Sequence, residues 1–179
     1  MHSKYKSTGP NLNLGILVCV ALLIALDVIL TRFLSIQTQF LRIGFGFLPI
    51  AIAGMAFGPV WGGICGGVGD ILGMIIYPSG AYFPGFTLTA CLTGIIFGIF
   101  LFRKYNIIRL IGAAAFVCVI LNLLLDTLWL DIMYGSGYLA LLPARAVKCF
   151  LNIPIYTVII EVIWNRGISR IPQLRSVHR

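Results

Sequence analysis

Six stretches of almost unbroken apolar residues, most of them bounded by proline, glycine or a basic cluster, constrain this chain more than any other feature. A helix needs about 20 apolar residues to cross the hydrocarbon core of a bilayer, with a range of roughly 17–25. The spans fall at about 13–34, 43–57, 60–77, 85–102, 109–133 and 143–164. Gly58-Pro59 ends the second in helix-breaking order, Pro78 stops the third and Pro84-Gly85 opens the fourth. Arg103-Lys104 closes the fourth, Gly135-Ser136-Gly137 the fifth, and Pro143 begins the sixth. The expected fold class is therefore all-α: a polytopic membrane protein with six transmembrane helices, forming one domain over residues 1–179. Composition agrees, since 60% of the residues are hydrophobic and only 10% charged, against roughly 25% charged in soluble domains. The polar, basic start up to Asn11 is like a signal-peptide n-region, but no small-residue cleavage site comes after it, so the first span reads as a retained helix.

Basic residues set the expected orientation. Lys4 and Lys6 precede the first span, Arg103, Lys104 and Arg109 fill the fourth connection, and Arg166, Arg170, Arg175 and Arg179 come after the last span. Those nine of the thirteen Lys and Arg fall on one side, without an accompanying acid, which places both termini in the cytoplasm. Connections near 35–42, 78–84 and 134–142 then face outward.

The remaining charges carry the functional information. Arg32, Arg42, Arg145 and Lys148, together with Asp27, Asp70, Asp126 and Asp131, map to the middle or outer half of the membrane. Each charge at the bilayer centre costs roughly 2.5–3.5 kcal/mol even on the lenient insertion scale. So many on one side point to a polar cavity that opens outward; the competing reading is a set of ion pairs that only knit helices together. Arg145, Lys148 and Asn152 stand at i, i+3 and i+7, on one face of the sixth helix, where two cations and an amide suit a ligand with carboxylates. Arg42 enters the second helix from the first outer loop and is placed to close over the same ligand. Tyr82-Phe83-Pro84-Gly85-Phe86, with Trp129, is denser in aromatics than an interfacial belt requires and suits flat walls for an aromatic ligand. Asp70 and Asp131 are candidates to accept paired hydrogen bonds from an amino-pyrimidine edge, although Asp70, among glycines, equally suits helix packing.

Several functions are excluded or weakened. No Walker segment is present for ATP hydrolysis. No Ser/His or Cys/His arrangement appears, because His2 and His178 sit in the tails. Cys19, Cys65, Cys91, Cys118 and Cys149 lie inside apolar runs without metal-ligand spacing, and read as small buried hydrophobes; no metal or cofactor is expected. No inverted repeat is evident, which argues against a complete secondary transporter. A membrane enzyme lacks its nucleophile and base, and a mere assembly factor has no use for an outward polar cavity. A binding protein without its own engine is what this elimination leaves.

Several segments carry a family resemblance. They include Leu41-Arg42-Ile43-Gly44-Phe45-Gly46-Phe47-Leu48-Pro49-Ile50, the run from Gly66 to Gly73 around Asp70, Tyr82-Phe83-Pro84-Gly85-Phe86-Thr87-Leu88, Thr127-Leu128-Trp129-Leu130, and Pro143-Ala144-Arg145-Ala146-Val147-Lys148. In these the chain resembles the substrate-binding (S) components of energy-coupling factor (ECF) vitamin transporters, most closely the folate-specific ones. The resemblance implies a six-helix S-component fold in a bacterial cytoplasmic membrane, with the vitamin near the outer face under the first and third loops. It implies partners too: an energy-coupling transmembrane subunit and two ABC-type ATPases beside the lipid bilayer, with no nucleic acid. Ala21 and Ala25 fit the small-residue spacing that meets the coupling subunit in such families. Asp126-Thr127 departs from the Asn-Thr expected there, so Asp126 is not carried over as a ligand contact. Folate suits the residues independently: a flat pterin for the aromatics, an amino-pyrimidine edge for Asp, and a dianionic glutamate for Arg and Lys. The ligand-binding set is then Arg42, Asp70, Tyr82, Phe86, Trp129, Asp131, Arg145, Lys148 and Asn152. The alternatives are another vitamin such as riboflavin or thiamine, or a small membrane enzyme or assembly factor.

The orientation is open to direct measurement. Single cysteines replacing Ser7 or Ser176 should be labelled only from the cytoplasm, and those replacing Ser79 or Ser136 only from outside. Labelling at position 176 from outside intact cells would reverse the assignment.

Overall fold

The computed structural model describes residues 14–33, 35–37, 42–78, 81–102, 105–135 and 138–166. Lys4, Lys6, Arg103, Lys104, Arg170, Arg175 and Arg179, on which the expected orientation chiefly rests, lie outside the described residues. The chain runs α1 (Leu14–Arg32), β1 (Ile36–Gln37), β2 (Arg42–Ile43), α2 (Phe47–Phe57), α3 (Pro59–Ile76), α4 (Pro84–Leu101), α5 (Ile107–Tyr134) and α6 (Tyr138–Arg166). The strands form one short antiparallel ladder, with Ile36 opposite Ile43 and Gln37 opposite Arg42. The architecture is otherwise all-α.

Five helices are long and apolar enough to cross a membrane; α2 is shorter. Its 11 residues rise about 16 Å, half of the roughly 30 Å core. The expected span at 43–57 loses its first turn because Arg42 and Ile43 are held in the ladder and the helix begins only at Phe47. What α2 lacks in length it makes up in burial. Its Phe47, Ala51 and Met55 join a core with Phe97, Leu110, Val117 and Ile160, while Ala53 joins Val20, Trp61 and Cys65 on the other side. The bundle is thus wrapped around a short central helix. α2 ends at Gly58, whose φ of 100° favours glycine, and Pro59 starts α3 at the position where a missing N–H is harmless.

The tightest contact joins α3 to α4. A Cβ built on Gly62 would collide with the Gly94 carbonyl oxygen, one on Gly94 with that of Gly62, and one on Gly66 with that of Ala90. Backbone meets backbone along this seam, as small residues permit between membrane helices. The antiparallel pair brings the C-terminal half of α3 beside the first turns of α4, and the candidate site is built there.

α5 holds a feature that hydropathy does not reveal. Val117–Leu125 is π-helical, between α-helical Ile107–Phe116 and Asp126–Tyr134. Phe116, Ile120, Leu124, Leu128 and Ile132 are all exposed, a strict four-residue repeat. In an unbroken α-helix such a repeat drifts about 40° per step and would wind the row halfway round the axis. The wider π turns offset that drift and hold the apolar row on one side. α6 begins a turn before the expected start at Pro143, and carries both Pro143 and Pro154 internally.

At the end of the bundle where α4 meets α5, Tyr105 stacks on Trp164 with centroids 4.1 Å apart and donates to the Glu161 carboxylate. Burial first, then that bond, pushes the Tyr105 phenol up from its ordinary range. This clasp ties the α4–α5 connection to α6.

Gly94→Val should disrupt the seam. Overpacking costs about 1–3 kcal/mol, and the upper end is expected here because the obstacle is backbone. Gly112→Ala should be neutral or slightly stabilising, because a Cβ there meets only Phe100 Cε1 at 3.8 Å. Thermal unfolding in detergent, followed by tryptophan fluorescence, checks both; an unchanged melting temperature for Gly94→Val would refute the seam's role.

Candidate ligand-binding site

The polar side chains gather where α1, α3 and α5 end and α4 and α6 begin. α1 contributes Asp27 and Arg32, buried to 2% and 6% exposure. Charges so deep need room as well as partners, and α3 supplies it with glycines. A Cβ on Gly69 would strike the Asp27 carboxylate, and one on Gly73 would stand 2.6 Å from Arg32 Nε. Gly69 and Gly73, at i and i+4, are notches cut for two charged side chains of α1.

Arg32 reaches across to Asp70. One guanidinium nitrogen lies 3.4 Å from both Asp70 Oδ1 and its backbone oxygen. The second carboxylate oxygen accepts from Thr87 Oγ1 at 2.7 Å. With that proton committed, Thr87 accepts from the Tyr82 hydroxyl at 3.2 Å. The chain Arg32–Asp70–Thr87–Tyr82 therefore links α1, α3, α4 and the segment that enters α4. Asp70, read from sequence as a ligand contact or a packing residue, has both oxygens engaged by protein.

An aromatic group adjoins it. Phe83 lies 5.5 Å from Trp129 and 6.3 Å from Phe86, edge-on to the latter. Trp129 Nε1 donates to Thr89 Oγ1 at 3.3 Å, and Thr89 donates to the Gly85 carbonyl at 3.1 Å. Gly85 gives the indole its seat, for a Cβ there would stand 2.5 Å from Trp129 Cδ2. Tyr82 is exposed, while Phe86 and Trp129 are half-buried.

A second charged group joins α5 to α6. Arg145 is buried at 7% exposure. Its guanidinium donates to Thr127 Oγ1 at 3.2 Å and stands 4.0 Å from Asp126 Oδ2. Its Nε has no hydrogen-bond partner among the described residues. Asn152 is buried on the same helix, and Lys148 lies between them in α6, its side chain outside the described residues. The Arg42 side chain is likewise outside them; its backbone pairs with Gln37. Asp131 is half-buried on α5, and its carbonyl accepts the Gly135 N–H at 2.8 Å. Ala21 and Ala25 are exposed on α1.

The structure thus brings Asp70, Tyr82, Phe86, Trp129 and Arg145 to one end, with Phe83 of the expected aromatic wall, and adds Arg32, Thr87, Thr89 and Thr127, which reasoning from sequence left out of the ligand-binding set. The available signal for Arg32 was that α1 carries two charges, Asp27 and Arg32, within an apolar run, while α3 offers a row of glycines that includes Gly69 and Gly73. The threonines gave none, because a lone threonine in an apolar run reads as an ordinary helix residue.

A membrane-type helical bundle with buried cations, carboxylates and an edge-packed aromatic group at one end has the parts of a protein that holds a substrate. Residues 16–164 match the family described as "ECF transporter, substrate-specific component", and the chain belongs to that family. The chain is 43% identical over 151 residues to "Folate transporter FolT" from Clostridium novyi (strain NT), covering 84% of this chain and 88% of the relative. A solved structure described as "Crystal structure of FolT bound with folic acid" superposes with a TM-score of 0.76 at 39% identity, over 80% of this chain and 88% of the other. The biotin S component of an ECF-type ABC transporter, at 21% identity, shares the fold, with a TM-score of 0.66 over 86% of this chain and 93% of the other.

The Arg32–Asp70 pair should behave as a buried ion pair. Asp70→Ala leaves a guanidinium that is 1% exposed without its acid, which should cost about 3–5 kcal/mol. Replacing both, as Arg32→Met with Asp70→Ala, should recover much of that loss. A double-mutant cycle on thermal stability measures the coupling; additive losses would show that the two residues act independently.

Proposed function

We propose that this chain is the high-affinity folate-binding subunit of an ECF-type ABC importer, capturing the vitamin at the outer face of the cytoplasmic membrane. The observation that carries this reading is Arg145, a buried guanidinium whose Nε has no hydrogen-bond partner among the described residues, at the same end of the bundle as the Trp129 indole. A dianionic glutamate attached to a flat pterin matches that pairing, and the relatives named folate transporters support it. The pterin lies against Phe83, Phe86 and Trp129; Asp131 offers its carboxylate to the amino-pyrimidine edge; Arg145, Lys148 and Asn152 meet the glutamate. Arg42 and Tyr82 close over the ligand from the two loops. Asp70 supports the site through Arg32 and Thr87.

Uptake on this reading is driven by an energy-coupling transmembrane subunit and two ABC-type ATPases. The exposed Ala21 and Ala25 mark the face of α1 where a partner helix approaches closely. A bulky residue at either position should abolish uptake by the assembled importer while leaving folate binding unchanged.

Binding chemistry gives the sharper test. Truncating one partner of a buried charge pair costs roughly 2–5 kcal/mol, about 30-fold to several-thousand-fold in affinity. Arg145→Ala and Lys148→Ala should weaken folate by such factors and leave the folate dimethyl ester, whose glutamate carboxylates are capped, nearly unaffected. Trp129→Ala should weaken both ligands alike. Calorimetric titration separates the outcomes; equal losses for folate and ester at Arg145 and Lys148 would retire the carboxylate assignment.

A further inference from the structure

Arg145 already faces an anion of the protein's own. Asp126 Oδ2 stands 4.0 Å from its guanidinium, with the aspartate side chain only 16% exposed. Asp126 is the residue before Thr127, whose hydroxyl accepts from the same guanidinium. A buried guanidinium needs counter-charge, and in the ligand-free protein Asp126 supplies it. An incoming carboxylate must share or displace that partner.

We propose that Asp126 is a resident competitor for the ligand's carboxylate at Arg145, and so determines how strongly this subunit favours anionic over neutral substrates. The inference rests on the assignment of Arg145 to the carboxylate end of the ligand. At 4.0 Å the internal pair is beyond hydrogen-bond length. A carboxylate that engages Nε makes a charge-assisted hydrogen bond, the stronger interaction. The ligand therefore prevails, but against the repulsion of a carboxylate held beside its own. That repulsion falls on anionic ligands alone, because a neutral analogue neither seeks Arg145 nor feels Asp126 to the same degree.

Asp126→Asn keeps the shape and removes the charge. Folate should then bind about tenfold tighter or more, while the dimethyl ester is unchanged. The ligand-free melting temperature should fall, as Arg145 loses its counter-charge, and the rise on adding folate should become larger than in the wild type. A merely structural aspartate makes the opposite forecast for affinity: its loss would weaken both ligands. Asp126→Glu carries the test in the other direction, because the longer acid reaches further toward the guanidinium; it should weaken folate and spare the ester, and it serves where Asp126→Asn does not survive purification. Unchanged or weaker folate binding in Asp126→Asn, or no weakening in Asp126→Glu, overturns the competitor role. If Arg145→Ala in the same titrations weakens folate but not the ester, the reading of Arg145 survives that failure. If it weakens both equally, that reading falls and the role of Asp126 falls with it.

Discussion

The approach of α3 to α4, backbone against backbone at Gly62, Gly66 and Gly94, is the contact on which the rest of the molecule depends. Lipid supplies no hydrophobic drive between helices, so close packing must come from shape. Side chains on those three positions would push the helices apart. With the seam closed, Asp70 of α3 comes within 2.7 Å of Thr87 of α4, and Gly85 and Thr89 present a surface that receives Trp129. The same economy of side chain is used again on α3, where Gly69 and Gly73 receive Asp27 and Arg32 from α1. One glycine-rich helix thus meets two neighbours, one through its backbone and one through buried charge.

The charges illustrate why a membrane protein tolerates polar groups at such depth. An ion held in low dielectric costs several kcal/mol unless paired and hydrogen-bonded, and the described cations here are served accordingly. Arg32 has Asp70, and Arg145 has Asp126 and Thr127. Yet the two pairs differ. Asp70 is also held by Thr87 and closes a network of four elements, which suits a fixed support. The Arg145 pair is longer and, among the described residues, leaves Nε uncommitted, which suits a group that must exchange partners. The first pair thus fits structural ion pairing, and the second is the one we propose for the ligand.

Much of this was legible from residues alone. Proline and glycine punctuation located the helix ends to within a few positions for α3, α4 and α5, because a missing N–H or an abrupt turn leaves few options. The starts of α2 and α6 were not legible. Nothing in Arg42-Ile43 forbids a helix that runs on into Phe47, and only pairing with Ile36-Gln37 decides that it is strand. Tyr138 to Leu142 gives no sign that the helix continues through Pro143. Arg145 and Trp129 stood out because a buried cation and a dense aromatic cluster are rare in lipid. Thr87, Thr89 and Thr127 did not, since a hydroxyl's role depends on which helix lies opposite.

Sequence by itself determined that this chain is a bundle of apolar helices and that the charges within its spans lie chiefly toward one end; hydropathy and sparse charge are local properties. Tertiary structure alone decided which charge faces which, that α2 is short and central, and that α5 widens into a π-helix from Val117 to Leu125. The reason is that every residue of that π segment except Asn122 is apolar, so its pattern fits either helix form. The choice is made by the neighbours that must be met on either side, from Val117 and Leu121 in the core to Thr127 beside Arg145.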